Sequence, residues 1–415
     1  MKVIVAHPAQ QHSFRLAAAL HKSKRLYRYA TTVYNKPFSL TRFASVFLSS
    51  KFRKKAQGRK AEQLDDSLVI QFCEGWGLLK LLALNTPILK KHYNSIKYNT
   101  ADRFAKKVAK YAIKHGTGAV VTYDNTSPLL FEILADKAPD ILRITDVSAA
   151  NPIYMKQIYE KDILLKPAFE KRLRAERRLV WDENIQNRTK REIAASQQFL
   201  VPSEFVAETY EYSGISRDKI HICPYGVDTS MFTPKDSYNY DKSKPIKCIY
   251  VGGVKELKGI SYLLEAFHTI PKDKAQLVIV GKADTDSEDI KPYLDDAEFT
   301  GSVLHGDIPQ LLRSADVFIL PSLGEGLSLS VLEAAASGLP LIVSANSGVS
   351  EKMTDGNEGF VIPIQSADAI KEKVMYLADN RSELEKMGKA SVAFARKYTW
   401  EEYDRRIASI FDELM

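Results

Sequence analysis

A chain of 415 residues is longer than one hydrophobic core supports and suits two domains, and its 45% hydrophobic content excludes a disordered protein. The net charge of +8 is unevenly placed, because residues 1–150 carry 25 Lys and Arg against 10 Asp and Glu, and the remainder carries 34 against 41. That asymmetry points to an anionic partner for the first half, while three scattered cysteines, Cys73, Cys223 and Cys248, exclude a zinc or disulfide framework and point to a reducing cytoplasm.

In chain order, Val3 to Ala6 reads as a short buried strand and not as a leader peptide, followed by the loop His7 to Ser13 and a helix over Arg15 to His21. This is a Rossmann-like opening, and the side chains of Gln11 and His12 either line the cleft at the strand end or cap and solvate the loop. From Ser39 to Tyr98 no alternation of strand and helix is apparent. There Phe43, Val46, Phe47 and Phe52 recur at helical intervals beside Lys51, Arg53, Lys54, Lys55, Arg59 and Lys60, and a second apolar stretch covers Trp76 to Leu84. A basic amphipathic insertion around residues 40–98 suits an anionic membrane surface, or else core helices with a solvated basic face. No nucleic-acid module accompanies it, so nucleic acid is set aside as a partner, and no apolar run reaches the length of a membrane span.

Regular alternation returns at Ala101. A helix ends at Gly116, a strand covers Ala119 to Asn125, and another covers Ile141 to Val147. Residues at strand tips converge on the ligand crevice of a doubly wound sheet, which singles out Asp124, Asn125, Thr145 and Asp146. The charged stretch Tyr154 to Glu192 is helical in pattern and is expected to pack across the first domain. The strand Gln198 to Ser203 then feeds a helix capped by Ser203 and ended by Gly214, so the first domain is placed at 1–215, the second at 216–398, and a terminal amphipathic helix at 399–415.

The second domain opens with a strand ending in Gly252 and Gly253, and Lys258 precedes the next helix. Glycines permit close approach of backbone to a phosphate and a lysine supplies mobile positive charge, although an isolated motif of this kind is more often met on a plain surface. Asp316 to Ser344 reads as strand, loop, helix and strand, with Glu325 in the loop and Glu333 on the helix eight positions later. Either both carboxylates face one crevice, where they suit the hydroxyl groups of a ligand, or both are solvated. The Asp284 to Asp289 cluster reads as a polar surface loop, no Asp-x-Asp motif stands at a strand end, and no obligatory metal is expected.

The run Glu325 to Ser344, EGLSLSVLEAAASGLPLIVS, resembles the donor-site signature of the retaining glycosyltransferases of family 4, which have the GT-B fold and carry two glutamates separated by seven residues. Cys223 to Phe232, Tyr250 to Phe267, Leu277 to Asp284 and Phe299 to Ser322 follow the family's order, so the resemblance covers roughly residues 195 to 415. It implies an α/β architecture of two Rossmann-like, doubly wound domains facing a central cleft, with the terminal helix crossing back to the first domain. The first domain would take the acceptor, with Gln11, His12, Asp124, Asn125, Thr145 and Asp146 on that side. The second would take a nucleoside diphosphate sugar as co-substrate, without a further cofactor, through Gly252, Gly253, Lys258, the backbone near Val303, Glu325, Gly326, Leu327, Ser328 and Glu333.

Within that resemblance, Glu325 would hydrogen-bond the donor sugar and help stabilise positive charge at its ring, and Glu333 would bind the ribose hydroxyls. Lys258 and the amides of Gly326, Leu327 and Ser328 would stabilise the departing diphosphate. The chain departs from the family at Gln10 to His12, where glycines are common, at Thr145 in place of His, at Gly253 in place of Arg, and at Leu327 and Ser328 in place of Phe and Gly. Three functions fit: transfer to a saccharide or lipid-linked acceptor by a cytoplasmic enzyme peripheral to the membrane in cell-surface polysaccharide or glycolipid synthesis, a cytosolic GT-B enzyme acting on a small soluble substrate, or a non-catalytic binding protein of the same fold.

Overall fold

Apolar runs marked by the sequence as buried on both faces form parallel strands in two separate sheets. The computed structural model describes residues 2–414 apart from 10–12, 47–52, 54–55, 57, 62, 125 and 127. Gln11, His12, Asn125 and the aromatic residues Phe47 and Phe52 therefore lie outside the described residues.

The first sheet contains β1 Val3–Ala6, β2 Leu26–Thr31, β3 Val69–Gln71, β4 Ala119–Tyr123, β5 Leu142–Asp146, β6 Gln198–Val201 and β7 Ile220–Ile222, in the order β3-β2-β1-β4-β5-β6-β7. The second contains β8 Ile246–Val251, β9 Ala275–Val280, β10 Ala297–Gly301, β11 Val317–Leu320, β12 Leu341–Ser344 and β13 Gly359–Ile362, in the order β10-β9-β8-β11-β12-β13. Side chains alternate across a strand, and β1 divides accordingly: Val3 and Val5 pack in the core with Leu16 and Leu20 of the helix Ser13–Lys22. Ile4 and Ala6 pack on the other face with Phe104 and Val108 of the helix Tyr93–Lys114. Strand order reverses between β1 and β4 in the first sheet and between β8 and β11 in the second, and those two switch points are where such sheets leave a crevice.

The expected two-domain GT-B architecture is present, and so is the crossing helix. Trp400–Glu413 is capped by Thr399, whose hydroxyl accepts from the Glu402 amide at 3.2 Å, and it buries Tyr403, Ile407, Ile410 and Phe411. It lies against the first helix of the chain, with Lys22 Nζ 2.5 Å from Asp404 Oδ2, Arg25 paired with Asp412, and the Arg15 guanidinium 4.3 Å from the Trp400 ring centroid.

Other expectations change. The stretch from Ser39 to Tyr98 does contain a sheet element: β3 pairs parallel with β2 and forms the edge of the first sheet, but three residues carry too little periodicity to show in sequence. The helix expected from Ala101 begins at Tyr93. The first sheet extends past residue 215 to β7, another three-residue edge strand. Tyr154 to Glu192 does not simply cover the first domain. It breaks into the helices Pro152–Leu165, Glu170–Glu176, Arg178–Trp181 and Glu183–Ala195, and it grips the second domain: Arg172 binds Asp289 through two bonds of 2.5 and 2.8 Å, and Lys166 pairs with Glu265. Asp289, read as part of a solvated cluster, is thus largely covered. No helix among the described residues is long and apolar enough to cross a membrane.

Candidate active site

The loops leaving β8 and β11 flank the second sheet's switch point, and they bring Lys258 and Glu325 together. After β8, the short turn Glu256–Lys258 ends at Gly259, whose φ of +70° suits glycine. A Cβ there would stand 2.0 Å from the Pro321 carbonyl oxygen, so only glycine lets this turn lie against the β11 loop. The result is a contact of 2.6 Å between Lys258 Nζ and Glu325 Oε1, with the Ser322 hydroxyl donating to the same oxygen at 2.9 Å.

The loop carrying Glu325 is fixed from behind. The Glu325 amide donates to Asn346 O at 2.9 Å, the Asn346 side chain donates to Leu323 O at 3.0 Å, and the Ser328 amide donates to Ser347 O at 3.3 Å. Of the three amides assigned to a diphosphate, that of Ser328 is therefore already engaged. Glu333 lies half-buried on the helix Leu329–Ala336 that follows, with no carboxylate partner among the described residues. Burial pushes its carboxyl up to about 7. In its ionised form the carboxylate only accepts, so hydroxyl donors from a ligand would compensate the hydration that form has lost.

At the other glycines, Gly252 donates its amide to Val280 O and Gly253 O accepts from the buried Tyr250 hydroxyl at 2.7 Å. Val303 is half-buried just beyond β10. The first domain meets the Glu325 loop directly: the Ser203 hydroxyl caps its own helix and donates to Gly326 O at 2.6 Å. A Cβ on Gly326 would fall 1.9 Å from the Ser148 carbonyl oxygen, so the two domains touch here at backbone distance.

On the first-domain side, the β1–β4 switch point opens into a cavity of about 640 Å³ that includes His7 and Asp124. Asp124 Oδ1 accepts from the Ser148 amide and hydroxyl at 3.3 and 3.0 Å. Thr145 and Asp146 point to opposite faces of β5. The Thr145 hydroxyl bonds Ser196 at 2.7 Å, while Asp146 is buried near Tyr123, Tyr225 and Tyr403 and, after burial itself, is the charge that raises each of those phenols.

Sequence reasoning missed the contribution of the Glu170–Glu176 helix and the residue after it. Glu176 accepts from the Glu256 and Leu257 amides at 3.2 and 3.1 Å, which holds the Lys258 turn from the first domain. Arg177 lines a small void with Tyr159 and Gly324, and its buried Nε has no partner among the described residues. The only available signal was the run of alternating charge, which is also the mark of a solvated helix.

Two doubly wound domains closed by a crossing helix define the GT-B architecture. The same architecture occurs in sucrose-phosphate synthase from Thermosynechococcus elongatus, which superposes over 100% of this chain and 99% of that one with a TM-score of 0.66 at 18% identity. Residues 234–393 match the family of glycosyl transferases group 1. D-inositol 3-phosphate glycosyltransferase of Paenarthrobacter aurescens is 26% identical over 214 residues, 47% of this chain and 52% of that protein. The UDP-Gal:alpha-D-GlcNAc-diphosphoundecaprenol alpha-1,3-galactosyltransferase of Escherichia coli is 30% identical over 178 residues, 39% of this chain and 46% of that protein. The chain thus spans about half the length of the curated relatives it matches.

Proposed function

We propose that the chain is a retaining glycosyltransferase of family 4 that moves a sugar from a nucleoside diphosphate to a hydroxyl of a saccharide or lipid-linked acceptor. The observation that carries this reading is the Lys258–Glu325 pair at the second sheet's switch point, with the Glu333 carboxylate, unpartnered among the described residues, on the adjoining helix. In the free protein the two charges neutralise each other. A donor diphosphate would draw Lys258 to itself and release Glu325 to the sugar hydroxyls, and the ribose would occupy Glu333. As the bond between the anomeric carbon and the phosphate oxygen breaks, Lys258 and the Gly326 and Leu327 amides would stabilise the charge left on that oxygen. The acceptor oxygen would bond to the same face of the anomeric carbon, and its proton would pass to the leaving phosphate.

A place at the cytoplasmic face of a membrane is supported by the first domain's charge and by its exposed apolar residues Phe38, Leu40, Phe43, Leu82, Leu84 and Ile88. The galactosyltransferase named above takes a diphosphoundecaprenol acceptor by its own name, which accords with such a surface. The test is a thermal-shift panel of nucleoside diphosphates and nucleotide-sugars with the wild type and Lys258→Ala. A ligand at a hundred times its dissociation constant adds about 2.7 kcal/mol of stability. Stabilisation by one nucleotide class, lost in the variant, is the expected result, and no response to any nucleotide would leave a non-catalytic protein of this fold.

A further inference from the structure

The first-domain cavity beside Asp124 is lined by cations that, among the described residues, its carboxylates mostly do not pair. Lys80, Lys97, Arg178 and Arg188 line it together with Asp124, Glu176 and Glu192. The three carboxylates already accept backbone hydrogen bonds: Asp124 from Ser148, Glu176 from Glu256 and Leu257, and Glu192 from the Thr126 amide at 3.1 Å. Among the described residues Arg188 alone of the four cations has a carboxylate partner, Asp102 at 2.8 Å, and Lys80 donates to the Pro8 carbonyl at 2.8 Å. Burial, then the charges of Arg59 and Lys97, push the Lys80 ammonium down to about 8, and burial with the charge of Arg188 lowers Lys97. Partly buried cations such as Lys80 and Lys97, with no carboxylate paired to either among the described residues, are stabilised when an anion joins them.

We propose that this cavity binds the phosphate or diphosphate group of the acceptor, with Lys80, Lys97 and Arg178 as its cationic wall. The inference rests on the transfer reading above and adds the acceptor's chemical class to it. Its position is apt, because Glu176 joins this wall to the turn that carries Lys258. The helix Glu74–Asn85 supplies Lys80 to the cavity and also turns Leu78, Leu81 and Leu82 into a separate, largely apolar cavity of about 460 Å³, large enough to take part of a hydrocarbon chain.

The experiment titrates inorganic pyrophosphate into the full-length protein by calorimetry, in wild type, Lys97→Ala, Arg178→Ala, Lys97→Arg and Lys258→Ala. Each alanine in the first domain should weaken binding about tenfold to a hundredfold, as the loss of one charge-assisted hydrogen bond does, while Lys97→Arg retains most of it. Lys258→Ala removes only the donor-side anion contact, so the pyrophosphate binding that depends on Lys97 and Arg178 should persist in it. Binding lost only in Lys258→Ala would place the anion in the donor site and overturn the proposal, as would the absence of binding. A nucleotide panel that fails while pyrophosphate still depends on Lys97 and Arg178 would remove the transfer reading and leave the anion site standing. A short-chain prenyl diphosphate that binds at least tenfold tighter than pyrophosphate assigns a lipid acceptor, and equal affinity assigns a phosphorylated soluble one.

Discussion

Glu333, the residue proposed to bind the ribose, opposes the stability of the fold that carries it. Its carboxyl is pushed from 4.5 up to about 7 by burial, so between those values the native state holds a proton that the unfolded chain has released. Stability at this site therefore falls as pH rises through that window. Glu333→Gln should raise stability at pH 8 by about 1–3 kcal/mol, with little change at pH 4, as thermal unfolding across pH would register. The same variant should bind nucleotide more weakly. In the wild type near pH 7, hydroxyl donors that favour the charged carboxylate should expel a proton on binding, and calorimetry in buffers of different ionisation enthalpy would count it. Gly326 makes a second, steric point. Its replacement by Ala places a methyl group against the Ser148 backbone, where no flexible side chain can give way. A loss of roughly 1–3 kcal/mol in stability, with a parallel loss of transfer activity, is expected.

At the scale of elements, the helices between Pro152 and Ala195 act as a bracket between domains. Arg172→Ala should destabilise the protein by about 1–3 kcal/mol, because Asp289 is left largely covered without its counter-charge. Thermal unfolding of Arg172→Ala and of the double variant with Asp289→Ala would show the second change restoring part of the loss. Sequence reading found the strands that supply the site, because β1 and β11 are four-residue apolar runs and β12 is three apolar residues closed by Ser344, all buried throughout. It also named both members of the Lys258–Glu325 pair and the helix bearing Glu333. It missed β3 and β7, which have three residues each and a single sheet neighbour, and it missed β2, whose Leu-Tyr-Arg-Tyr pattern mixes polar and apolar residues. The bracket was illegible for a different reason. Glu176 and Arg172 take their meaning from partners in the other domain, at separations of 80 and 117 residues, where no local period can announce them.

For the whole molecule, the excess positive charge lies in residues 1–150, as do the exposed Phe38, Leu40, Phe43, Leu82, Leu84 and Ile88, and the residues proposed to hold the donor lie on the second domain. Sedimentation with vesicles containing anionic lipid should recover the protein, weakening as salt rises, whereas neutral vesicles should recover little. Phe43→Glu, on an exposed position, should reduce that recovery about tenfold without lowering the melting temperature. The crossing helix has a further consequence, for the timing of synthesis. Leu16 and Leu20 belong to a core that the chain's last helix helps to close, and Lys22 and Arg25 wait for Asp404 and Asp412. At ribosomal rates of about 5–20 residues per second, the first domain stays exposed on that side for roughly 20–80 seconds after its opening residues emerge. A nascent chain stalled before Trp400 should thus expose an apolar face to chaperones that the finished protein never shows.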